Sequence, residues 1–181
     1  MVVALGLFLI FPKKGLEDQL ARAGAADPLT VEYLKVFLAA RPDSPRLRMT
    51  LARQLVQMGR FDDARAALRP LTATEQSALR IEAQVYEFEI LEKIAYALPP
   101  GSAGREHALG QARARLPVLG GLPLDLSQMA FLAQRAVAIG DAGTAVRLYA
   151  RLAARGELRT EEANADAARL VLGLGDRKSV V

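Results

Sequence analysis

The chain has 181 residues, 51% hydrophobic and 24% charged, a size and balance that suit one domain with a filled core and exclude a disordered or low-complexity protein. It contains no Cys and a single His, His107, which excludes thiolate nucleophiles, CxxC zinc sites, disulfides and any site built on two imidazoles, so no cofactor and no metal are expected. The 24 Lys and Arg outnumber the 20 Asp and Glu, but from Arg22 to Arg177 they are interleaved with acids, so no basic block follows a phosphate backbone and no nucleic-acid partner is expected.

Met1 to Phe11 (MVVALGLFLIF) is an uninterrupted apolar run followed by Pro12, Lys13 and Lys14, the profile of a membrane segment meeting the interface. A helix of that length reaches roughly 17 Å into a hydrocarbon layer of about 30 Å, so alone it does not span. No basic stretch precedes the run and no A-x-A-like site follows it, which argues against a secretory signal. Residues 1–12 are therefore read as the second half of a transmembrane anchor that begins upstream. An N-terminal helix packed on the domain is the alternative.

From Gly15 onward nearly every segment between turn signals spaces its apolar residues by three and four, with Ala, Leu, Arg and Glu dominating and no alternating Val, Ile and Thr. The fold class is all-α. Start signals divide the chain: Asp27 before Pro28, Ser44 before Pro45, Thr72 with Glu75 as a capping box, Ser102, Asp125 with Gln128 as a second box, and Thr160. They predict helices at about 15–24, 28–40, 45–58, 61–70, 74–98, 102–115, 125–139, 142–154 and 160–173. The helix over 74–98 has an unusually wide apolar face, with Ile81, Val85, Phe88 and Ala95 in one stripe and Tyr86, Ile90 and Ile94 in another. Burial between neighbouring helices accounts for both stripes; a partner-binding surface on one of them is the functional alternative. The last six residues, Asp176 to Val181 (DRKSVV), break the Ala and Leu pattern, and as codons they match the start of a common sequencing adapter. They are set aside as a non-native tail, which leaves 13–175 as the helical domain.

The segment Leu51 to Leu71 (LARQLVQMGRFDDARAALRPL) aligns without a gap on Leu132 to Leu152 (LAQRAVAIGDAGTAVRLYARL), 81 residues later. Leu51 matches Leu132, Ala52 matches Ala133, Gly59 matches Gly140, Ala64 matches Ala145, Leu68 matches Tyr149 and Leu71 matches Leu152. A partial third copy carries Ala168, Val171 and Gly175 against Ala133, Ala136 and Gly140, and an earlier half copy ends in Pro42. Ala52 and Ala133 are expected where the two helices of a hairpin cross, since only a small side chain lets the backbones approach. Gly59 and Gly140 are expected to end the first helix in a conformation that costs glycine least. Ala64 and Ala145 begin the second helix at the same contact, with Phe61, Leu68 and Tyr149 filling beside it.

This pattern resembles the tetratricopeptide repeat, a helix-turn-helix unit of about 34 residues. The resemblance implies a solenoid of antiparallel helix hairpins that binds other proteins through the groove of its successive first helices. The departures are specific. The usual first-helix Trp is Arg48 and Met129, the usual Tyr is Leu55 and Ala136, the closing Pro is present only as Pro42, and residues 72–124 carry a longer helix pair out of phase with the rest.

Candidate chemistry reduces to structural roles. Asp62 with Asp63 and Glu161 with Glu162 lie in first turns of helices, where the dipole favours negative charge, and Glu87 with Glu89 is the third carboxylate pair. His107 beside Glu106 has no second ligand, and PPGSAGRE (Pro99 to Glu106) lacks the Lys and Ser/Thr of a phosphate loop. LPVLGGLPLD (Leu116 to Asp125) reads as a second long connection. No catalytic residues are expected. The expected protein is a non-enzymatic, membrane-tethered scaffold whose partners are other proteins through the repeats and the membrane through residues 1–12.

The order of apolar run, FPKKGLEDQL, DPLTVEYLKVFLAARPD and LRMTLARQLVQMGRFDDARAAL resembles the N-terminal part of PelB-type exopolysaccharide export proteins. It implies an inner-membrane anchor, a periplasmic repeat domain and partners in a bacterial polysaccharide secretion complex, although Lys13 and Lys14 oppose that orientation by the positive-inside rule. The alternative is a cytoplasmic regulatory or enzyme-associated repeat domain, with any catalysis in a C-terminal part beyond this sequence.

Overall fold

A computed structural model describes residues 27–75 and 77–155. They form seven α-helices and, among the described residues, no strand: α1 Pro28–Ala40, α2 Pro45–Gln57, α3 Phe61–Thr72, α4 Ser77–Ala97, α5 Ala103–Gly120, α6 Leu126–Ala138 and α7 Ala142–Ala154. The described residues are all-α and built of antiparallel helix hairpins. The expectations for residues 1–12, 15–24 and 160–173, for Thr160, Glu161, Glu162, Ala168, Val171 and Gly175, and for the tail Asp176 to Val181 lie outside the described residues.

Two compact units divide at Ala83 and Gln84. In the first, α1 packs on α2 and α2 on α3. The Asp27 carboxylate accepts from Leu29 N at 3.2 Å and the Ser44 hydroxyl from Leu47 N at 3.4 Å, each one residue before a proline whose missing N–H costs nothing at a helix start. The core holds Val31 and Leu34 of α1, Leu51, Ala52 and Leu55 of α2, and Ala64, Leu68 and Leu71 of α3.

In the second unit α6 packs on α7, and α5 touches both. Asp125 forms a reciprocal capping box with Gln128: the carboxylate accepts from Gln128 N at 2.8 Å, and Asp125 N donates to the Gln128 side-chain oxygen at 3.1 Å. The Ser127 hydroxyl and the Gln128 N–H hold the Asp125 carboxyl below its ordinary value. Phe88, Leu116, Met129, Leu132, Ala133, Ala136, Ala145 and Leu148 are fully buried.

Three boundaries differ from the sequence expectation. Helix α3 continues past Pro70 to Thr72, because stopping at Pro70 would expose Leu71, which is buried. Thr72 is thereby the last residue of α3, and its hydroxyl donates back to the Arg69 carbonyl at 3.0 Å. The box expected from Thr72 and Glu75 is not formed, and α4 begins at Ser77. Helix α5 runs on to Gly120 through Pro117, so the first half of LPVLGGLPLD is helical and His107 sits in an 18-residue helix. An interior proline costs about 3 kcal/mol; burying Leu116 and Leu119 on the core side offsets it at about 1.5–3 kcal/mol each.

Helix α4 buries Ile81, Phe88, Leu91, Glu92 and Ala95 along one side and Ala83 and Ile90 along another. Val85, Tyr86 and Ile94 are half-buried. The two apolar stripes read in the sequence are thus largely covered.

Candidate interaction surface

The two hairpins α2–α3 and α6–α7 are closed by the same turn. Gly59 N donates to Val56 O at 3.0 Å and Arg60 N to Leu55 O at 2.8 Å; 81 residues on, Gly140 N donates to Val137 O at 3.1 Å and Asp141 N to Ala136 O at 2.8 Å. This is the paired-bond helix ending that needs a left-handed residue, and Gly59 (φ +72°) and Gly140 (φ +77°) supply it. Ala52, Ala64, Ala133 and Ala145 are fully buried, Leu51 and Leu132 lie in the core beside them, and Leu68 and Tyr149 occupy matching places in the second helices.

Closing a hairpin in this register fixes what its first helix leaves outside. On α2, Arg46, Thr50, Arg53 and Gln57 recur at four, three and four residues, forming one stripe opposite the core side. The 81-residue offset places Ser127, Phe131, Gln134 and Ala138 on the same stripe of α6. All eight are exposed or half-buried. The candidate surface is therefore a repeated first-helix face, cationic on α2 and aromatic on α6.

On α2 the stripe is tied at one point, where Arg53 Nη2 lies 3.3 Å from Glu82 Oε1 in an exposed pair. On α6 it is backed by a mixed cluster. Phe131 meets the buried Phe88 edge-to-face, with ring centroids 6.5 Å apart and planes at 85°. The Arg135 guanidinium stands 5.3 Å from the Phe131 centroid, and its Nε is 3.5 Å from Oε2 of the buried Glu92. The other Glu92 oxygen has no hydrogen-bond partner. Burial pushes the Glu92 carboxyl up from its ordinary value, Glu89 adds to the rise, and Arg135 and Lys93 oppose it.

The sequence candidates for chemistry do not come together. Asp62 and Asp63 lie in the first turn of α3, with Asp63 taking Arg60 at 2.6 Å. Glu87 binds Arg115 through both oxygens, at 2.7 and 3.1 Å, and Glu89 lies 3.6 Å from Lys93. His107 is exposed, 3.0 Å from the Gln111 side-chain nitrogen. In PPGSAGRE, Gly101 turns the chain at φ +75° and Ser102 caps α5 by accepting from Arg105 N at 3.2 Å. Among the described residues no group of three or more His, Cys, Asp or Glu could hold a metal ion. No helix among them is long and apolar enough to cross a membrane.

The sequence reading missed the stripe because it followed only the apolar matches. The signal lay in the same alignment, carried by the solvent-facing positions between them.

Among known families, a tetratricopeptide repeat model matches residues 18–84, a span that takes in α1, α2, α3 and the start of α4. The match supports the tetratricopeptide reading of the first hairpin; the second hairpin is tied to it by the 81-residue register and the shared turn. No curated protein and no solved structure matches the chain.

Proposed function

We propose that this chain is a non-catalytic scaffold that holds other proteins on the outer faces of its first helices, through Thr50 and Arg53 on α2 and Phe131, Gln134 and Arg135 on α6. Tetratricopeptide repeats generally mediate binding to other proteins, and the observation that carries the reading here is the recurrence of one exposed stripe on two hairpins of identical turn geometry. Phe131 has the profile of an anchor residue: a rigid aromatic ring, seated on Phe88 and flanked by an arginine, yet still reachable from solvent. Selection of peptides by the full chain from a random display library, followed by titration against variants, tests it. F131A and R135A should each weaken a selected peptide by about tenfold or more, measured where circular dichroism shows the variant folded. Equal losses for A150S on the outer side of α7 would place binding elsewhere.

A second reading rests on the apolar run Met1 to Phe11 with its flanking Pro12, Lys13 and Lys14: the scaffold would be tethered to a bilayer, in an export complex of the exopolysaccharide type. Flotation of the full chain with phospholipid vesicles, with and without residues 1–12, tests the tether.

A further inference from the structure

Arg135 is the one charged side chain of α6, and its guanidinium has two neighbours of opposite character. One is the half-buried Phe131 ring, whose centroid lies 5.3 Å away; the other is Glu92 of α4, with Oε2 3.5 Å from Arg135 Nε. The Arg135 side chain is 46% exposed and that of Glu92 only 4%, so the cation of the pair reaches solvent and the anion does not. The match is poor. A charge-assisted bond is ordinarily about 2.7–2.9 Å, and the second Glu92 oxygen has no hydrogen-bond partner at all. A buried carboxylate left in this state is costly when ionised.

The other charged groups around Glu92 are engaged elsewhere. Glu89 and Lys93, on its own helix, lie 3.6 Å from each other. On α5, Arg115 is held by both oxygens of Glu87, and Arg105 stands 5.2 Å from the Tyr96 ring and donates to the Leu98 carbonyl at 3.5 Å. Arg135 is therefore the cation that can answer the Glu92 charge by a small movement of its side chain.

We propose that Glu92 gates Arg135: ionised, the carboxylate draws the guanidinium onto α4; protonated, it releases the guanidinium to pair with an acidic side chain of a peptide lying along Phe131. The gate rests on α6 being a binding face, as proposed above. The partner's group is an anion because Arg135, and not Glu92, is the member of the pair that reaches solvent. Burial raises the Glu92 carboxyl above its ordinary value of 4.5, so it is neutral below the raised value, and an anion binds most tightly there and loses affinity as pH rises through it. By linkage, an anion that occupies Arg135 weakens the charge favouring ionisation and raises the Glu92 carboxyl further.

Naphthalene-2-sulfonate, an aromatic anion of constant charge, serves as the probe for a carboxylate beside an apolar side chain. The full chain, E92Q and R135A are titrated with it from about pH 4 to about pH 8, and the Glu92 carboxyl carbon and the Arg135 Nε–H are followed by NMR. The parent should bind roughly tenfold more weakly on the alkaline side of the Glu92 titration, E92Q should bind at every pH as the parent does at low pH, and R135A should bind weakly throughout. The Arg135 Nε–H should move with the Glu92 carboxyl, which should titrate at higher pH with the probe bound. Binding that R135A loses but that the parent shows equally at every pH would overturn the gate and leave the binding face standing. Equal binding by the parent and R135A would remove the face and the gate together. An Arg135 signal in the parent that ignores Glu92 ionisation would overturn the gate whether or not E92Q folds.

Discussion

Hairpins α2–α3 and α6–α7 solve one packing problem with different means at their edges. Both cross at buried alanines and both turn on a left-handed glycine, with corresponding hydrogen bonds that agree to about 0.1 Å. Around this frame the residues diverge. Arg48 on α2 points back and donates to the Pro42 carbonyl through Nε at 3.0 Å and Nη2 at 2.7 Å, whereas its counterpart Met129 is fully buried. The second hairpin has its turn clasped from α5, where Arg113 donates twice to the Ile139 carbonyl, at 3.1 and 2.7 Å. Its second helix also has a side-chain cap, Asp141 accepting from Thr144 N at 3.0 Å, whereas Arg60 offers none. Close approach of two backbones admits few residue types, while the ends of helices can be satisfied by many. The shared register therefore lives in small residues and the differences in arginines and caps.

The largest break should come from the filler beside the crossing. L132A and L68A each empty a fully buried leucine site and should cost about 2–5 kcal/mol, read from urea midpoints at constant slope. Next come the turns. No atom lies within 4 Å of a Cβ built on Gly59 or Gly140, so G59A and G140A should each lose only the backbone term, about 1–2 kcal/mol, and by similar amounts. A much larger loss at one of them would separate the hairpins.

The caps sharpen the comparison in the opposite direction. D141A should cost about 1 kcal/mol, and R60D, which gives the first hairpin the cap that it lacks, should recover a similar amount despite losing the exposed pair with Asp63. The smallest effect is confined to the second unit. The buried Glu92 faces Arg135, whose α2 counterpart is Gln54. Because the folded carboxyl is raised above its ordinary value of 4.5, the stability it contributes is fully present below about pH 4.5 and lost as pH rises through the raised value. E92Q should flatten that decline, seen as urea midpoints that no longer fall as pH rises above about 4.5.

The parts of the fold legible in the sequence were those where one residue type answers one backbone demand. Asp125 with Gln128 and Ser44 with Pro45 marked real helix starts because their caps act over three residues. Thr72 with Glu75 had the same spelling and no such role, since burial of Leu71 beyond Pro70 drew Thr72 into α3. Pro117 misled for the same reason: a local penalty was outweighed by Leu116 and Leu119, whose burial is a property of the assembled unit. The interaction stripe was hidden differently. Arg46 and Ser127, or Thr50 and Phe131, share a position but no chemistry, because a solvent-facing site does not restrict size.

The central claim is that two segments 81 residues apart fold as the same kind of hairpin in one register, and eight urea midpoints test it most directly. A52L, A64L, A133L and A145L should each overpack a fully buried crossing and cost about 1–3 kcal/mol. R53A, Q57A, Q134A and A138S, all on exposed first-helix positions, should shift stability by no more than about 0.5 kcal/mol. Four costly alanine sites paired across the offset are the predicted result. Tolerance at Ala133 and Ala145 equal to that of the exposed sites, with Ala52 and Ala64 still intolerant, would contradict the shared register.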